Sequence, residues 1–171
     1  MTIELRVHWS PDARGMGMVR IQGETVVGCP VEQVFDFVAD ERNEPKYNRR
    51  MTHAAMVTAG PVGKGTRWAA TVGSRGRSFD MAIDVTGYDR PRRLESTTMM
   101  STAEIRGGVT FEPVPEGTRL RWSWDTRFKG ILKLLTPVLA RIGRRQEEET
   151  WAELKRYLEI SGPSRGTERQ A

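Results

Sequence analysis

Residues 19–40 decide the fold, and they read VRIQGETVVGCPVEQVFDFVAD. Apolar side chains alternate with polar ones from Val19 to Val27, as in a half-buried β-strand. From Val31 to Val38 they recur at i, i+3, i+4 and i+7, which is the spacing of an amphipathic helix. Pro30 suits the first helical position because it has no N–H to leave unbonded. The stretch therefore predicts a strand followed at once by a helix, and Glu44-Pro45 opens a second short helix.

The middle of the chain has the period of β-strands. In the segment 79–85 the apolar residues Phe79, Met81 and Ile83 alternate with polar ones, so one face must be buried. Two tryptophans, Trp122 and Trp124, share a face in the same way. Glycine and proline clusters separate the segments, as expected for turns. Six strands of an antiparallel meander are predicted, over residues 52–59, 66–72, 79–85, 94–100, 105–112 and 119–125.

A long helix is predicted at the end of the chain. Thr136-Pro137 looks like an N-cap followed by proline at the first helical position, and the apolar spacing continues to Glu159. Between Ile142 and Trp151 no large apolar residue occurs, so the face toward the sheet is polar or small for about two turns. Counting back one turn from Trp151 places Glu147 on that face, over a cavity.

Length and composition indicate one globular domain. The chain has 171 residues, with 37% hydrophobic and 29% charged residues, which suits a single core. Residues 1–17 are predicted to be an extension, with the alternation in 2–9 forming an added edge strand or a dimer arm. The domain proper is predicted over 18–160, and 161–171 should be a flexible tail.

The same composition excludes several classes of function. No apolar run is long enough for a transmembrane segment, and the first twenty residues lack a secretion signal, so a cytoplasmic protein is expected. One cysteine and two histidines leave little for a metal site, and no metal or cofactor is predicted. The net charge is +5, but acidic residues separate the basic ones. Because nucleic-acid binding needs cations gathered on one face, no nucleic-acid partner is expected.

Few side chains are candidates for a catalytic role. Glu147 is a candidate acid or base if it is buried, although it stands in a run of three glutamates that is typical of a solvated surface. His53 is a candidate base, with a surface position as the alternative. Tyr47 is a third candidate for proton transfer. Cys29 has no identifiable base beside it and is expected to be an inert small hydrophobe. No nucleophile-base pair can be assembled, so the catalytic residues stay unknown and an enzymatic activity stays open.

Several stretches together resemble a known superfamily. They are CPVEQVFDFVAD at 29–40, GPVGKGTRW at 60–68, YDRPRRLE at 88–95, FEPVPEGTRLRW at 111–122 and LKRYLE at 154–159. The order of elements is similar to the START-like, helix-grip fold of the SRPBCC superfamily, in particular its polyketide cyclase/dehydrase and lipid-transport-like branch. Tyr47 departs from the tryptophan that related proteins often carry there.

The resemblance implies an α+β fold, in which a curved antiparallel sheet wraps around the long C-terminal helix and two short helices follow the first core strand. It also implies a cavity between sheet and helix for a small hydrophobic molecule. The inferred inward faces supply aromatic and methionine side chains suited to line it; the alternative is that they are ordinary core. The predicted ligand-binding residues are Trp68, Phe79, Met81, Ile83, Met99, Trp122 and Trp124, with Met100 as the alternative to Met99.

Three functions follow as alternatives. The first is binding or transport of a hydrophobic or amphipathic molecule, and the second is a cyclase or dehydratase that uses the same cavity. The third is association with a membrane surface through 129–145, which is apolar and basic. For that segment, packing on the sheet is the favoured interpretation. A homodimer is compatible with the sequence.

Overall fold

A computed structural model of the chain describes residues 18–74 and 76–161. The strand predicted within 2–9 and the tail beyond 161 lie outside these residues, so both stay predictions. The strands are β1 (Met18–Val27), β2 (Met51–Met56), β3 (Arg67–Ser74), β4 (Arg77–Asp89), β5 (Arg93–Met100), β6 (Ala103–Val114) and β7 (Gly117–Phe128). The α-helices are α1 (Val31–Ala39) and α2 (Thr136–Ser161), and two 3-10 helices cover Glu41–Lys46 and Gly130–Leu135.

All seven strands form one antiparallel sheet in the order β1-β7-β6-β5-β4-β3-β2. Strands β2 to β7 are a meander, and its last strand pairs with β1. The first two strands therefore lie on opposite edges of the sheet, joined by α1 and the 3-10 helix Glu41–Lys46. This confirms the predicted α+β architecture of a single antiparallel sheet with a long C-terminal helix.

Helix α1 closes one end of the core. Its apolar stripe places Val34 and Phe35 fully inside the protein. The Phe35 ring meets Tyr88 and Phe111 edge-on, with centroids 5.2 and 5.0 Å apart. Pro30 lies one residue before the predicted position: it is the N-cap, and its carbonyl accepts the hydrogen bond from Val34 N–H at 3.1 Å. The stripe is confirmed, and it fixes α1 against the sheet.

Helix α2 buries its large apolar side chains only along its C-terminal half. Trp151, Leu154 and Leu158 are buried there. The end of the helix is tied to β1, because Lys155 Nζ donates to the Val26 carbonyl at 2.6 Å and Gly28 N–H donates to Glu159 Oε1 at 2.8 Å. The N-terminal half instead leaves large apolar side chains exposed. The interpretation that the segment 129–145 packs on the sheet therefore holds only in part: Ala140 is buried and Gly143 lies close to Ile21 of β1.

The predicted N-cap of α2 is also wrong. Thr136 already has helical dihedral angles, φ −45° and ψ −46°. Its hydroxyl donates to the Lys133 carbonyl at 2.6 Å instead of capping the helix. The preceding 3-10 helix runs directly into α2, so the first helical turn needs no side-chain acceptor at this position.

Candidate functional site

The inner face of the sheet carries most of the predicted ligand-binding residues. Cross-strand partners in a sheet share a face, and the register pairs Trp68 with Ile83 and Met81 with Ala70. Trp68, Ile83 and Trp122 are buried in the main core. The Trp122 ring stacks on Trp151 of α2, with centroids 4.8 Å apart and planes 17° apart. All three side chains thus belong to the core, and Trp122 is the one that stacks on the helix.

The remaining inner-face residues are less covered. Phe79, Met81 and Trp124 are half-buried, and Met81 and Trp124 pack against the edge of the core. Along β4 burial rises from Phe79 toward Val85, which is 4% exposed. The inner face therefore has a closed end next to α1 and a more open end near Phe79.

The structure corrects the predicted position of Met99. In the register, Met100 is opposite Met81 and Met99 is opposite Ala82. Met99 therefore lies on the outer face, where it is 39% exposed. Met100 is the methionine that shares the inner face. Because residues 95–98 are all polar, the sequence has no alternation there that could decide which of the two methionines faces inward.

Glu147 is the polar centre of the inner region. Its Oε2 accepts the indole N–H of Trp151 at 2.9 Å and that of Trp124 at 3.1 Å. Burial raises the pKa of Glu147 to about 6, and the Glu44 carboxylate raises it further, while the indole donors and Arg50 oppose the shift. The carboxyl group therefore changes its protonation state near pH 6, which suits general acid-base chemistry.

The 3-10 helix Glu41–Lys46 brings further acidic groups toward Glu147. Burial raises the pKa of Tyr47 well above its usual value, and so do the carboxylates of Glu44, Glu41 and Glu147, in that order. The phenol thus keeps its proton and can donate it in a hydrogen bond. Burial also raises the pKa of Glu41, with the adjacent Glu44 adding to the effect. Sequence reasoning missed Glu41 and Glu44, although their spacing of three after α1 was a usable signal.

The structure separates the remaining candidate, His53, from Glu147 and Tyr47. His53 lies opposite Thr71 on the edge strand β2 and is exposed. Thr71 is on the outer face, so His53 points away from Glu147 and Tyr47. Cys29 is buried, with its Sγ donating to the Leu158 carbonyl at 3.5 Å, and burial raises the pKa of the thiol. A thiol in that state is a poor nucleophile.

Two buried indole groups have no partner within the described residues. The N–H groups of Trp68 and Trp122 find no acceptor there, although both residues are essentially inaccessible to solvent. An unpaired buried donor costs about 1–3 kcal/mol, so native structures seldom keep one without a reason. The inner region thus has two donors that an acceptor atom could satisfy.

A cavity of about 640 Å³ lies elsewhere, on the outer face of the sheet. Its walls include Arg93, Glu95 and Arg121. These charges already have partners, as in the ion pairs Arg93–Glu95 and Arg121–Glu24. The cavity is therefore a neutralised polar depression, and among the predicted ligand-binding residues it is lined by Trp122 alone.

The described residues contain neither a metal-binding cluster nor a membrane-spanning helix. Residues 18–74 and 76–161 contain no group of three or more histidine, cysteine, aspartate or glutamate side chains that could hold a metal ion. Within the same ranges, no helix combines the length and apolar character needed to cross a bilayer.

The raised pKa of Glu147 predicts a specific dependence of stability on pH. The folded-state pKa of about 6 exceeds the ordinary value of 4.5, so the folded protein favours the protonated form. The contribution of protonated Glu147 to the free energy of unfolding is complete below about pH 4.5, and it is lost as the pH rises through about 6. Glu147→Gln cannot ionise and should gain on the order of 2 kcal/mol relative to the wild type between pH 4 and pH 7.5. Urea denaturation of both proteins at each pH measures this; parallel pH profiles would contradict it.

Comparisons with known proteins agree with the fold. A family model described as polyketide cyclase / dehydrase and lipid transport matches residues 18–159. No curated protein matches the sequence. Among solved structures, the chain is similar to the protein TTHA0849 from Thermus thermophilus, with a TM-score of 0.71, 16% identity, and coverage of 84% of this chain and 99% of that one.

Two further structures are similar. A START superfamily protein from Mycobacterium smegmatis has a TM-score of 0.61 and 18% identity, over 84% of this chain and 95% of that one. The di-domain ARO/CYC StfQ from the steffimycin biosynthetic pathway has a TM-score of 0.68 and 12% identity, over 86% of this chain and 53% of that one. At these identities the similarity shows the fold alone.

Proposed function

Because the chain belongs to the polyketide cyclase/dehydrase and lipid transport family of the START-like superfamily, we propose that it binds a small hydrophobic or amphipathic molecule between the sheet and α2. The observation that carries this proposal is the pair of buried indole N–H groups of Trp68 and Trp122, which have no acceptor within residues 18–74 and 76–161. A ligand with a carbonyl or hydroxyl oxygen would supply the acceptor they lack. An apolar ring system bearing such an oxygen therefore fits better than a plain alkyl chain.

The half-buried side chains of the inner face supply the entrance in this proposal. Phe79, Met81 and Trp124 offer apolar area that other side chains cover only in part. Aromatic and methionine side chains adapt to ligands of different shape. The Trp124 indole also donates to Glu147, so a ligand lying on Trp124 would meet a carboxyl group at the same place.

Ligand binding should change tryptophan emission and raise the melting temperature. The probes are a panel of fatty acids, flavonoids and aromatic polyketides, each added at increasing concentration. At about 100 times Kd the folded state gains roughly 2.7 kcal/mol, which corresponds to about 5–10 °C for a domain of this size. The measurement is differential scanning fluorimetry with parallel emission spectra. Absence of a shift across the panel would contradict the proposal.

A matched pair of variants locates the site. Trp122→Phe keeps an aromatic ring but removes the buried indole N–H, so it should reduce the ligand-induced shift of the melting temperature. Ile160→Ser, at the exposed end of α2, should leave that shift unchanged. If Trp122→Phe binds as the wild type does, the buried indole donor is not a ligand contact.

A second function, proton transfer in a cyclase or dehydratase reaction, is favoured by one observation. Glu147 has a pKa of about 6, and its electrostatic coupling to Tyr47 places a proton carrier and a protonated phenol in one region. If a substrate is turned over, Glu147→Gln should lower kcat about a hundredfold or more. For Glu147 acting as a base, the rate should fall as the pH drops through about 6. An unchanged rate in Glu147→Gln would exclude this role.

A further inference from the structure

Residues 127–145 present an unusual apolar surface. Five large apolar side chains in this segment are strongly exposed, at 77% for Ile131, 76% for Leu134, 50% for Leu135, 59% for Val138 and 44% for Ile142. Scattered exposed apolar residues are normal, but a contiguous group marks an interaction site. We call these five residues the apolar face.

The apolar face is not the surface with which α2 meets the sheet. The inward side of the helix is marked by Ala140, which is buried, and by Gly143, where a Cβ would lie 3.0 Å from Ile21 of β1. With 3.6 residues per turn, Val138 and Ile142 lie roughly on the opposite side of the helix. A helix on a sheet needs one apolar side, so this second one calls for another partner.

The charged residues of the same segment are all basic. Residues 127–145 contain no aspartate or glutamate and six basic residues, Arg127, Lys129, Lys133, Arg141, Arg144 and Arg145. Of these, Arg145 pairs with Glu149 and Lys129 Nζ donates to the Met100 carbonyl. The other four have no carboxylate partner among the described residues. Arginines elsewhere are often paired, as Arg20 is with Asp125 and Arg67 with Asp84.

From these two observations we propose that the apolar face docks on an anionic lipid surface, with the apolar side chains entering the interface and the surrounding cations facing the headgroups. Exposed apolar residues combined with unpaired cations are the composition of an interfacial helix. A second copy of the chain is the less suitable occupant, because a symmetric contact would bring the two sets of cations together. This inference goes beyond ligand binding and does not depend on it.

The test is flotation of the purified protein with vesicles of phosphatidylcholine alone, or with about 30% phosphatidylglycerol added. Binding is expected to the anionic vesicles and should weaken strongly when salt rises from about 0.1 M to about 1 M. Lys133→Gln with Arg141→Gln should reduce partitioning about 30-fold, since each cation near the surface contributes about fivefold. The double variant Leu134→Ser with Val138→Ser should reduce it by at least as much.

Matched controls separate docking from loss of folding. Val57→Ser with Ile160→Ser removes two exposed apolar side chains outside the segment, and Arg49→Gln with Arg77→Gln removes two exposed cations outside it. Both control proteins should bind as the wild type does. All four variants change exposed residues, so their melting temperatures should stay close to that of the wild type.

Three results would overturn the proposal. One is equal binding of the wild type to neutral and anionic vesicles, and another is unchanged binding of the two segment variants. The third is a wild-type dimer in sedimentation that Leu134→Ser with Val138→Ser converts to a monomer, with no vesicle binding by either protein. That last outcome would assign the apolar face to a second copy.

Discussion

Phe35→Ala is expected to lower the free energy of unfolding by about 3–5 kcal/mol. Phe35 is completely buried, and its ring contacts Tyr88 and Phe111 edge-on. Alanine would leave a cavity where α1 closes the sheet, and the surrounding strands could refill it only in part. Since domains are usually stable by only about 5–15 kcal/mol, the melting temperature should fall by about 6–20 °C. Urea denaturation and a thermal melt measure both quantities.

Phe79→Ala is the matched control for that variant. Phe79 lies on the inner face of the same sheet but is half-buried, so its removal should cost less than half as much. The difference separates the closed end of the inner face from the end proposed to receive a ligand. Equal losses for the two variants would show that Phe79 is packed as core, and the proposed entrance would then be wrong.

Gly117→Ala should destabilise the protein by about 2–5 kcal/mol. Gly117 starts β7 with φ +135°, and a Cβ there would overlap the Val27 carbonyl oxygen and lie 2.8 Å from the Gly28 Cα. The backbone conformation costs about 1–3 kcal/mol for a residue with a side chain. The clash adds a similar amount, because it is with backbone that cannot rotate away. Denaturation in urea measures the loss.

Gly63→Ala provides the comparison. A Cβ at Gly63 would meet no heavy atom within 4 Å, so the change should stay within about 1 kcal/mol. If Gly117→Ala is equally mild, the β6–β7 turn must be able to move away from the end of β1. That result would contradict the close packing described for this corner of the sheet.

The fold could be predicted from the sequence because the apolar residues on the buried side recur with one period in a helix and with another in a strand. The alternation in 79–85 and the stripe of α1 each have an apolar side that water disfavours, and the structure buries Ile83 and Phe35 as that pattern requires. The ends of elements were harder to predict. Strand β4 runs on to Asp89 through a register shift between Val85 and Gly87, and a bulge of this kind leaves little trace in the alternation.

The candidate site was predictable only in part. The position of Glu147 one turn before Trp151 indicated its inward direction, and Glu147 Oε2 does accept the Trp151 indole N–H. The second donor, Trp124, lies on strand β7, so its contact with Glu147 depends on how the sheet and the helix dock. The outer position of His53 depends in the same way on the pairing of β2 with β3.

By itself, the sequence determined which elements form, since helical and strand periods are local properties of neighbouring residues. Only the tertiary structure decided what surrounds each side chain. It placed Met99 outside and Met100 inside through one step of strand register, and it raised the pKa of Glu147 by burial among groups distant in the chain. It also turned the apolar residues of 127–145 partly toward solvent, because the sheet covers only one side of α2. Register, burial and docking depend on contacts between distant segments, and no local pattern specifies them.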